Sequence, residues 1–244
     1  MRIRLLTYNV HKCIGGIDRL YRPERIHEVI AHYAPDMALL QEVDSGARRS
    51  HGDRQVDLLG GLLDMRHRAF YPNVRLPSGG AYGNALLSHH PISESSNIDV
   101  SIPLKKRRGV LHAHCRIRPH AGASWRTIHI FNLHLGLSGF ERKLQLRRFL
   151  ETEPFFGLDR HARVIVAGDF NDLWGTLGRK LLAPAGFRGL ERPILTFPAF
   201  APLRALDSIY VRGDIDFVRV FRARASESLR ASDHLPLVAD LELR

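Results

Sequence analysis

Four short polar clusters stand out along the 244 residues: Thr7-Tyr8-Asn9-Val10-His11, Gln41-Glu42-Val43, Gly168-Asp169-Phe170-Asn171-Asp172 and Ser232-Asp233-His234. Three close an apolar run of strand length and the fourth precedes one, the place where an α/β scaffold commonly presents site residues. Singly each is ordinary, since a carboxylate at a strand end is usually solvated and Gly-Asp-x-Asn makes a good turn. Together they hold the parts for hydrolysing a phosphate ester. That reaction needs a hard cation on the phosphate oxygens, and hard cations take oxygen ligands from carboxylates and amides. It also needs a group to orient or deprotonate water, and donors for the developing charge. Glu42, Asp169, Asn171 and Asp233 suit the first two tasks; Asn9, His134 and His234 suit the third. One or two carboxylates per metal, with room for phosphate and water, fit Mg²⁺ or Mn²⁺ better than zinc.

The 14 histidines invite a zinc site instead. His89-His90 precedes Pro91 in a turn, however, and no HExxH box appears. His112 and His114 alternate on one strand, a pattern that reads as a solvent-facing stripe. His129 and His134 fall on opposite faces of their strand by parity. Tyr8 and Trp174 read as core, and Tyr82, beside Gly79, Gly80 and Gly83, as a loop-edge residue able to touch substrate. Asn84 either donates to substrate or satisfies a turn. Cys13 and Cys115 lie in no CxxC pair and read as buried apolar residues.

Stepping from these groups to their supports, residues 3–10 and 36–43 read as strands. Between them Pro23 opens a helix with Ile26, Val29, Ile30 and Tyr33 on one face. A short helix over 55–64 precedes strands at 66–74, 82–88, 92–102, 109–118 and 124–134. Ser138 and Glu141 form a capping box for a helix to about 151. A buried strand at 163–167, a helix over 174–185 and strands at 206–212, 215–223 and 235–243 complete the chain. Interspersed rather than alternating helices predict two packed mixed β-sheets flanked by helices, in a single domain over 1–244.

Hydrophobic residues make up 44% and charged residues 25%, so the chain can bury a core without disulfides. The start lacks the apolar stretch of a signal peptide and no run is long enough to span a bilayer, which together with the cysteine usage predicts a cytoplasmic protein with no transmembrane segment. Net charge is +11, attractive to nucleic acid, acidic lipid or small phosphates. Lys105-Lys106-Arg107-Arg108 reads as a solvated turn. Nothing demands more than a monomer.

The ordered set T-Y-N-V at 7–10, Q-E-V at 41–43, N-L-H at 132–134, G-D-F-N at 168–171 and S-D-H at 232–234 resembles the endonuclease/exonuclease/phosphatase superfamily. That group includes pancreatic-type DNases, apurinic endonucleases, inositol-polyphosphate phosphatases and neutral sphingomyelinases. The resemblance runs in family order over nearly the whole chain and implies a DNase I-like α/β/β/α sandwich of four layers. It implies Glu42 as principal metal ligand, helped by Asn9 and Asp233. Asp169 would align or deprotonate the attacking water, and Asn171 would hold a phosphate oxygen. His234 would pair with Asp207, and His134 would match a second phosphate-contacting histidine. Arg108, in Arg-Arg-Gly-Val-Leu, would reach the substrate phosphate. His11 and Lys12 depart from the acidic or amide residue that apurinic-type enzymes often carry there, which weakens a second metal site. Ser-Asp-His-Leu-Pro-Leu-Val-Ala-Asp-Leu is similar to small uncharacterised bacterial members.

The expected function is an Mg²⁺- or Mn²⁺-dependent phosphodiesterase, with DNA or RNA as first substrate. A phospholipid or phosphoinositide comes second, and peripheral contact with acidic lipid fits the same charge. The contrasting class is an inactive nucleic-acid- or lipid-binding member. Against it, Glu42, Asp169, Asn171, Asp207, Asp233 and His234 are all retained, although no structural need keeps all six.

Overall fold

The protein, seen here as a computed structural model, is described over residues 1–118, 122–223 and 227–244. In chain order the elements are β1 (Arg2–Asn9), α1 (Pro23–Tyr33), β2 (Met37–Ser45), α2 (Gln55–Leu62), β3 (His67–Arg75), β4 (Ala81–Ser88), β5 (Ile92–Asp99) and β6 (Gly109–Ile117). They continue with β7 (Arg126–His134), α3 (Gly139–Glu151), β8 (Val164–Asp169), β9 (Asp207–Arg212), β10 (Ile215–Arg222), α4 (Ser228–Ala231) and β11 (Leu237–Leu243). One sheet has the order β10-β11-β1-β2-β4-β3 and the other β5-β6-β7-β8-β9. Each is mixed, with one parallel pair: β1–β2, connected through α1, and β7–β8, connected through α3. The two sheets with helices on their outer faces make a four-layer α/β/β/α sandwich, as the resemblance implies.

Side-chain alternation builds the layers. Ile3 and Leu5 of β1, Leu39 of β2, Leu111 of β6, Ile130 of β7 and Ile165 of β8 fill the gap between the sheets. Leu6, Tyr8, Ala38 and Leu40 face outward onto Ile26, Val29 and Ile30 of α1 and Leu59 of α2. On the far side Phe131, Leu133, Val164 and Val166 pack on Leu146 and Phe149 of α3. Strands buried on both faces become continuous apolar runs, which is why these segments are legible as strands. Pro23 occupies the first turn of α1, and Ser138 caps α3 by accepting the Glu141 N–H at 3.2 Å.

At one end the apolar filling between the sheets gives way to amides. Asn132 Nδ2 donates to the carbonyls of Leu40 and Ala85, each at 2.9 Å, while its Oδ1 accepts from Gln41 Nε2 at 2.8 Å. Asn84 Nδ2 donates to the carbonyls of Gly109 and Asn132 at 3.0 and 3.1 Å. These bonds tie the two sheets together directly beneath the polar clusters.

Some local expectations are corrected. The helix expected over 174–185 shrinks to a π-helical stretch at Gly178–Leu182, because Gly175 takes a left-handed φ of 60° that an α-helix does not admit. Trp174, in the turn before it, is 78% exposed rather than core. The strand expected over 92–102 ends at Asp99, and α4 was not anticipated. His112 is buried rather than part of a solvent-facing stripe, since Phe131 stacks on its ring at 4.3 Å.

Candidate active site

The strand register sets three site residues side by side. His134 at the end of β7 pairs with Asp169 at the end of β8, which pairs with Asp207 at the start of β9. By parity Asp169 lies on the face of Ile165 and Ala167, Asp207 on that of Ile209, and His134 on that of Ile130, so all three point between the sheets. Asn9 reaches the same gap from β1, on the face of Ile3 and Leu5.

Glu42 needs a different device. Strict alternation would send it outward with Leu40. Instead β2 carries a bulge opposite β4, the register shifting between Leu40 and Val43, and Glu42 takes a φ of 58°. The extra residue returns Glu42 to the inter-sheet side, the re-aiming that bulges commonly perform beside sites. His11, Lys12 and Cys13 also have positive φ, as does Asn171 at 50°. Such a concentration of strained non-glycine backbone marks the region as held in shape by its surroundings.

The resulting cleft is about 320 Å³ in volume, and Asn9, Glu42, Arg108, His134, Asp169, Asn171, Asp233 and His234 all line it. Asp169 is at its centre. Its Oδ2 accepts from Asn9 Nδ2 at 3.0 Å, and its Oδ1 from the Asn171 N–H at 2.9 Å. His134 Nε2 and His234 Nε2 lie 3.5 and 3.8 Å from Oδ2. His234 Nδ1 donates to Asp207 Oδ2 at 2.9 Å, and the Thr196 hydroxyl donates to the same oxygen at 2.6 Å. Asn171 Nδ2 is occupied by the Leu135 carbonyl at 3.0 Å.

Electrostatics divide these groups by task. Burial alone would lower the His234 pKa, but the paired Asp207 overrides it and holds the ring protonated up to about 10. Burial raises the Asp169 carboxyl to about 7, with the His234 cation opposing the shift. Burial, reinforced by Arg108, pushes His134 well below the ordinary imidazole range, so it is neutral at physiological pH. Burial would also raise Glu42, yet His134 and Lys12 pull it down to about 2. Because His134 is itself neutral, the Lys12 ammonium, which donates to Glu42 Oε2, is the partner that counts.

Asp169, Asp207 and His234 lie close enough to hold a metal among them. Within the trio His234 Nδ1 is hydrogen-bonded to Asp207, while its Nε2 faces Asp169 at an ion-pair distance of 3.8 Å. Glu42, ionised and open to the cleft, is the better anchor for a hard dication. Asn9 Oδ1, which accepts the His11 N–H at 3.1 Å, and the partly exposed Asp233 carboxylate add oxygen donors on the same wall. These donors are of the type Mg²⁺ and Mn²⁺ prefer, and a cation, Lys12, already sits against Glu42. Lys12→Met is expected to tighten Mn²⁺ binding about 10-fold, the equivalent of ~1.4 kcal/mol, by removing a tethered competitor. An electron paramagnetic resonance titration measures it; unchanged or weaker binding would show that Lys12 does not compete.

Two anticipated substrate contacts lie elsewhere. Asn84 is buried and spends its amide on the cross-sheet carbonyls. Tyr82 is a buried residue of β4 rather than a loop-edge one, its ring covered by Lys12, Arg49 and Lys106 at 5.9, 5.1 and 5.1 Å. It supports cations that border the cleft instead of lining it. Arg108 is 7% exposed and lines the cleft, and its guanidinium makes no hydrogen bond or ion pair among the described residues. Lys106 and Arg204 line the same cleft and Thr196 supports it, none of them singled out from sequence. Arg204 lies three residues before Asp207, a proximity that gave a usable signal; Thr196 gave none.

The profile of the Endonuclease/Exonuclease/phosphatase family matches residues 6–234. YbhP of Escherichia coli K12, itself uncharacterised, is 32% identical over 257 aligned positions, covering 98% of this chain and 96% of its own. Among solved structures, an endonuclease/exonuclease/phosphatase from Beutenbergia cavernae superposes with a TM-score of 0.80 at 24% identity, over 99% of this chain and 72% of that one. The catalytic domain of human nocturnin with a bound sulfate anion gives 0.77 at 23% identity, over 100% and 95%. Those identities speak for the fold, while the profile and YbhP speak for descent. The chain therefore belongs to the endonuclease/exonuclease/phosphatase family of phosphoester hydrolases.

Proposed function

We propose that this chain is a metal-dependent phosphodiesterase that cleaves nucleic acid by in-line attack of water. The observation that carries this reading is the convergence on one cleft of the hydrogen-bonded Asp207–His234 pair, Asp169 beside it, ionised Glu42 and the Arg108 guanidinium, which has no partner among the described residues. A buried guanidinium without an anionic partner is costly, and a phosphate oxygen is the ligand that would settle it.

Glu42, with Asn9 and Asp233, would hold Mg²⁺ or Mn²⁺, which supplies positive charge to the phosphate oxygens. Asp169 takes the proton of the attacking water; a carboxyl raised to about 7 is a stronger base than an ordinary one at neutral pH. His234, kept cationic by Asp207, stabilises the charge that builds in the transition state. Neutral His134 donates one N–H to a phosphate oxygen, and Arg108 binds another. Asn171 acts through its backbone, since its N–H fixes Asp169 and its side-chain amide is spent on Leu135.

The pH profile follows from these signs. Asp169 must be ionised and His234 protonated, so kcat/KM is expected to rise through about 7 and fall near about 10. In Asp207→Asn the ring loses its anionic partner, and the alkaline limb should move toward the ordinary imidazole value near ~6.5. An alkaline limb that stays in place in the variant would remove His234 from that limb.

A second reading has its own observation. Leu104, Leu137 and Phe140 are 105%, 77% and 72% exposed. Leu137 lines the cleft, as does Lys106, two residues after Leu104, and Lys105 pairs with Glu141, the residue after Phe140, at 3.2 Å. Apolar side chains among Lys105, Lys106 and Arg107 suit an anionic lipid surface, with a phospholipid as the ester cleaved. The deciding experiment is hydrolysis of bis-p-nitrophenyl phosphate with Mg²⁺ or Mn²⁺ and EDTA controls, then of single-stranded DNA, RNA and anionic phospholipid vesicles. Metal-dependent release is expected, fastest on nucleic acid; faster turnover of vesicles would favour the second reading. Folded protein inert on every substrate would overturn both.

A further inference from the structure

A second cluster of metal-ligating side chains lies on the opposite face of the five-stranded sheet. His112 and His114 project from β6, and His129 projects from β7 directly opposite His114 in the register. His129 stands five positions before His134 on the same strand. At a strand rise of about 3.3 Å per residue that separates the two by roughly 17 Å. Their parity differs as well, so this cluster opens away from the catalytic cleft.

The three imidazoles converge. Each offers a ring nitrogen within 4.8 Å of those of the other two. His112 Nε2 and His129 Nδ1 are hydrogen-bonded at 3.2 Å, so one of the two carries a proton that a tautomer shift must move before both can ligate a shared metal. The two rings are nearly parallel, at 4°. His114 stands edge-on to both, at 75° and 76°. Two nitrogens bound to one tetrahedral zinc at about 2.0–2.1 Å would themselves be roughly 3.3 Å apart. The pair is already at that spacing. Glu94 of β5, opposite His114 in the register, places Oε2 3.3 Å from His114 Nδ1. That supplies the carboxylate partner that commonly orients and enriches a metal-bound imidazole.

The surroundings favour metal binding over solvation or ordinary packing. Phe131 stacks on His112 from one side and, with Phe149 and Phe155, walls off the inner end of the cluster. The outer end is open, His114 being partly exposed and Glu94 largely so. Burial, helped by the neighbouring His114, lowers the pKa of His112 to about 3 and of His129 to about 4. Both rings therefore present lone pairs at neutral pH, as metal ligands must. Pure packing would be met as well by the apolar residues found elsewhere on this face, such as Val110 and Leu133.

The geometry points to a second metal site, separate from the catalytic cleft, in which His112, His114 and His129 bind a borderline divalent transition metal, zinc foremost, with Glu94 as supporting carboxylate. Nitrogen-rich donors select zinc, cobalt, nickel or copper over Mg²⁺ or Mn²⁺, so the two sites would take different ions. Metal here would clip β6 to β7, the strand that ends in His134.

The test uses full-length protein stripped of metal and titrated with Co²⁺, whose visible ligand-field absorption reports imidazole coordination, followed by competition with Zn²⁺. Wild type is expected to bind one equivalent that Zn²⁺ displaces. Glu42→Gln, which alters only the catalytic cleft, should retain it fully. His114→Gln and His129→Gln should abolish it, and Glu94→Gln should weaken it about 10-fold or more. His114 is partly exposed, so its variant is the one chosen to keep the fold, checked by circular dichroism and the metal-free melting temperature. No saturable Co²⁺ spectrum in wild type would overturn the site, as would retention of the full spectrum in the folded His114→Gln variant. Loss of the spectrum in Glu42→Gln would likewise overturn it, by placing the metal in the cleft.

Discussion

Asp169→Asn is expected to lower kcat for phosphodiester hydrolysis by about 10²–10⁴-fold, the range general-base catalysis typically supplies, with a melting temperature no lower than wild type. Asp169 is 1% exposed at the centre of the cleft, and burial raises its pKa to about 7. The amide keeps the volume and one acceptor for the Asn171 N–H, but it cannot take a proton. Stability should hold or rise, because burial is what raises the Asp169 pKa and the variant no longer buries an ionisable carboxyl. Single-turnover kinetics beside thermal unfolding separates the two effects. A folded variant within a few-fold of the wild-type rate would show that another group activates the water, and the loss should fall in kcat rather than KM.

His234→Ala should cost about 10²–10³-fold in kcat, as for removal of one preorganised transition-state donor, and here stability falls too. The Asp207 carboxylate is 2% exposed, and without the imidazolium the Thr196 hydroxyl is its one remaining side-chain partner among the described residues. Breaking one side of a buried pair typically costs about 3–5 kcal/mol. The double variant Asp207→Asn/His234→Ala distinguishes the two losses. It should regain most of the melting temperature while kcat stays low. If kcat recovered together with stability, His234 would be a structural residue and the proposed transition-state cation would lie elsewhere.

Much of this was legible in the chain. The apolar runs of β1, β2 and β8 announce strands buried on both faces, and the polar tripeptides at their ends announce a site at one end of a stack. Parity alone groups Asn9 with Ile3 and Leu5, Asp169 with Ile165 and Ala167, and Asp207 with Ile209, because side-chain direction alternates with every residue along a regular strand. Packing then makes that shared face the inter-sheet one. Pro23 and the Ser138 cap fix helix starts by local backbone chemistry, so they need no tertiary information. Parity likewise separates His129 from His134.

What sequence could not decide depends on contacts between segments far apart in the chain. Glu42 faces the cleft only because β2 bulges against β4, and a bulge is a property of a strand pair. Asn84 and Tyr82 looked available to substrate beside their glycines, yet the cross-sheet carbonyls take one and three cations cover the other. Lys12 against Glu42, and Arg108 without a partner among the described residues, are outcomes of which loops meet over the cleft. The same limit hid the imidazole cluster: His112 and His114 look like a solvated stripe until the β6–β7 register brings His129 beside them. Residue types and strand parity are local and were fixed by the chain; partners, burial and therefore pKa depend on packing across the sandwich, which the tertiary structure alone supplies.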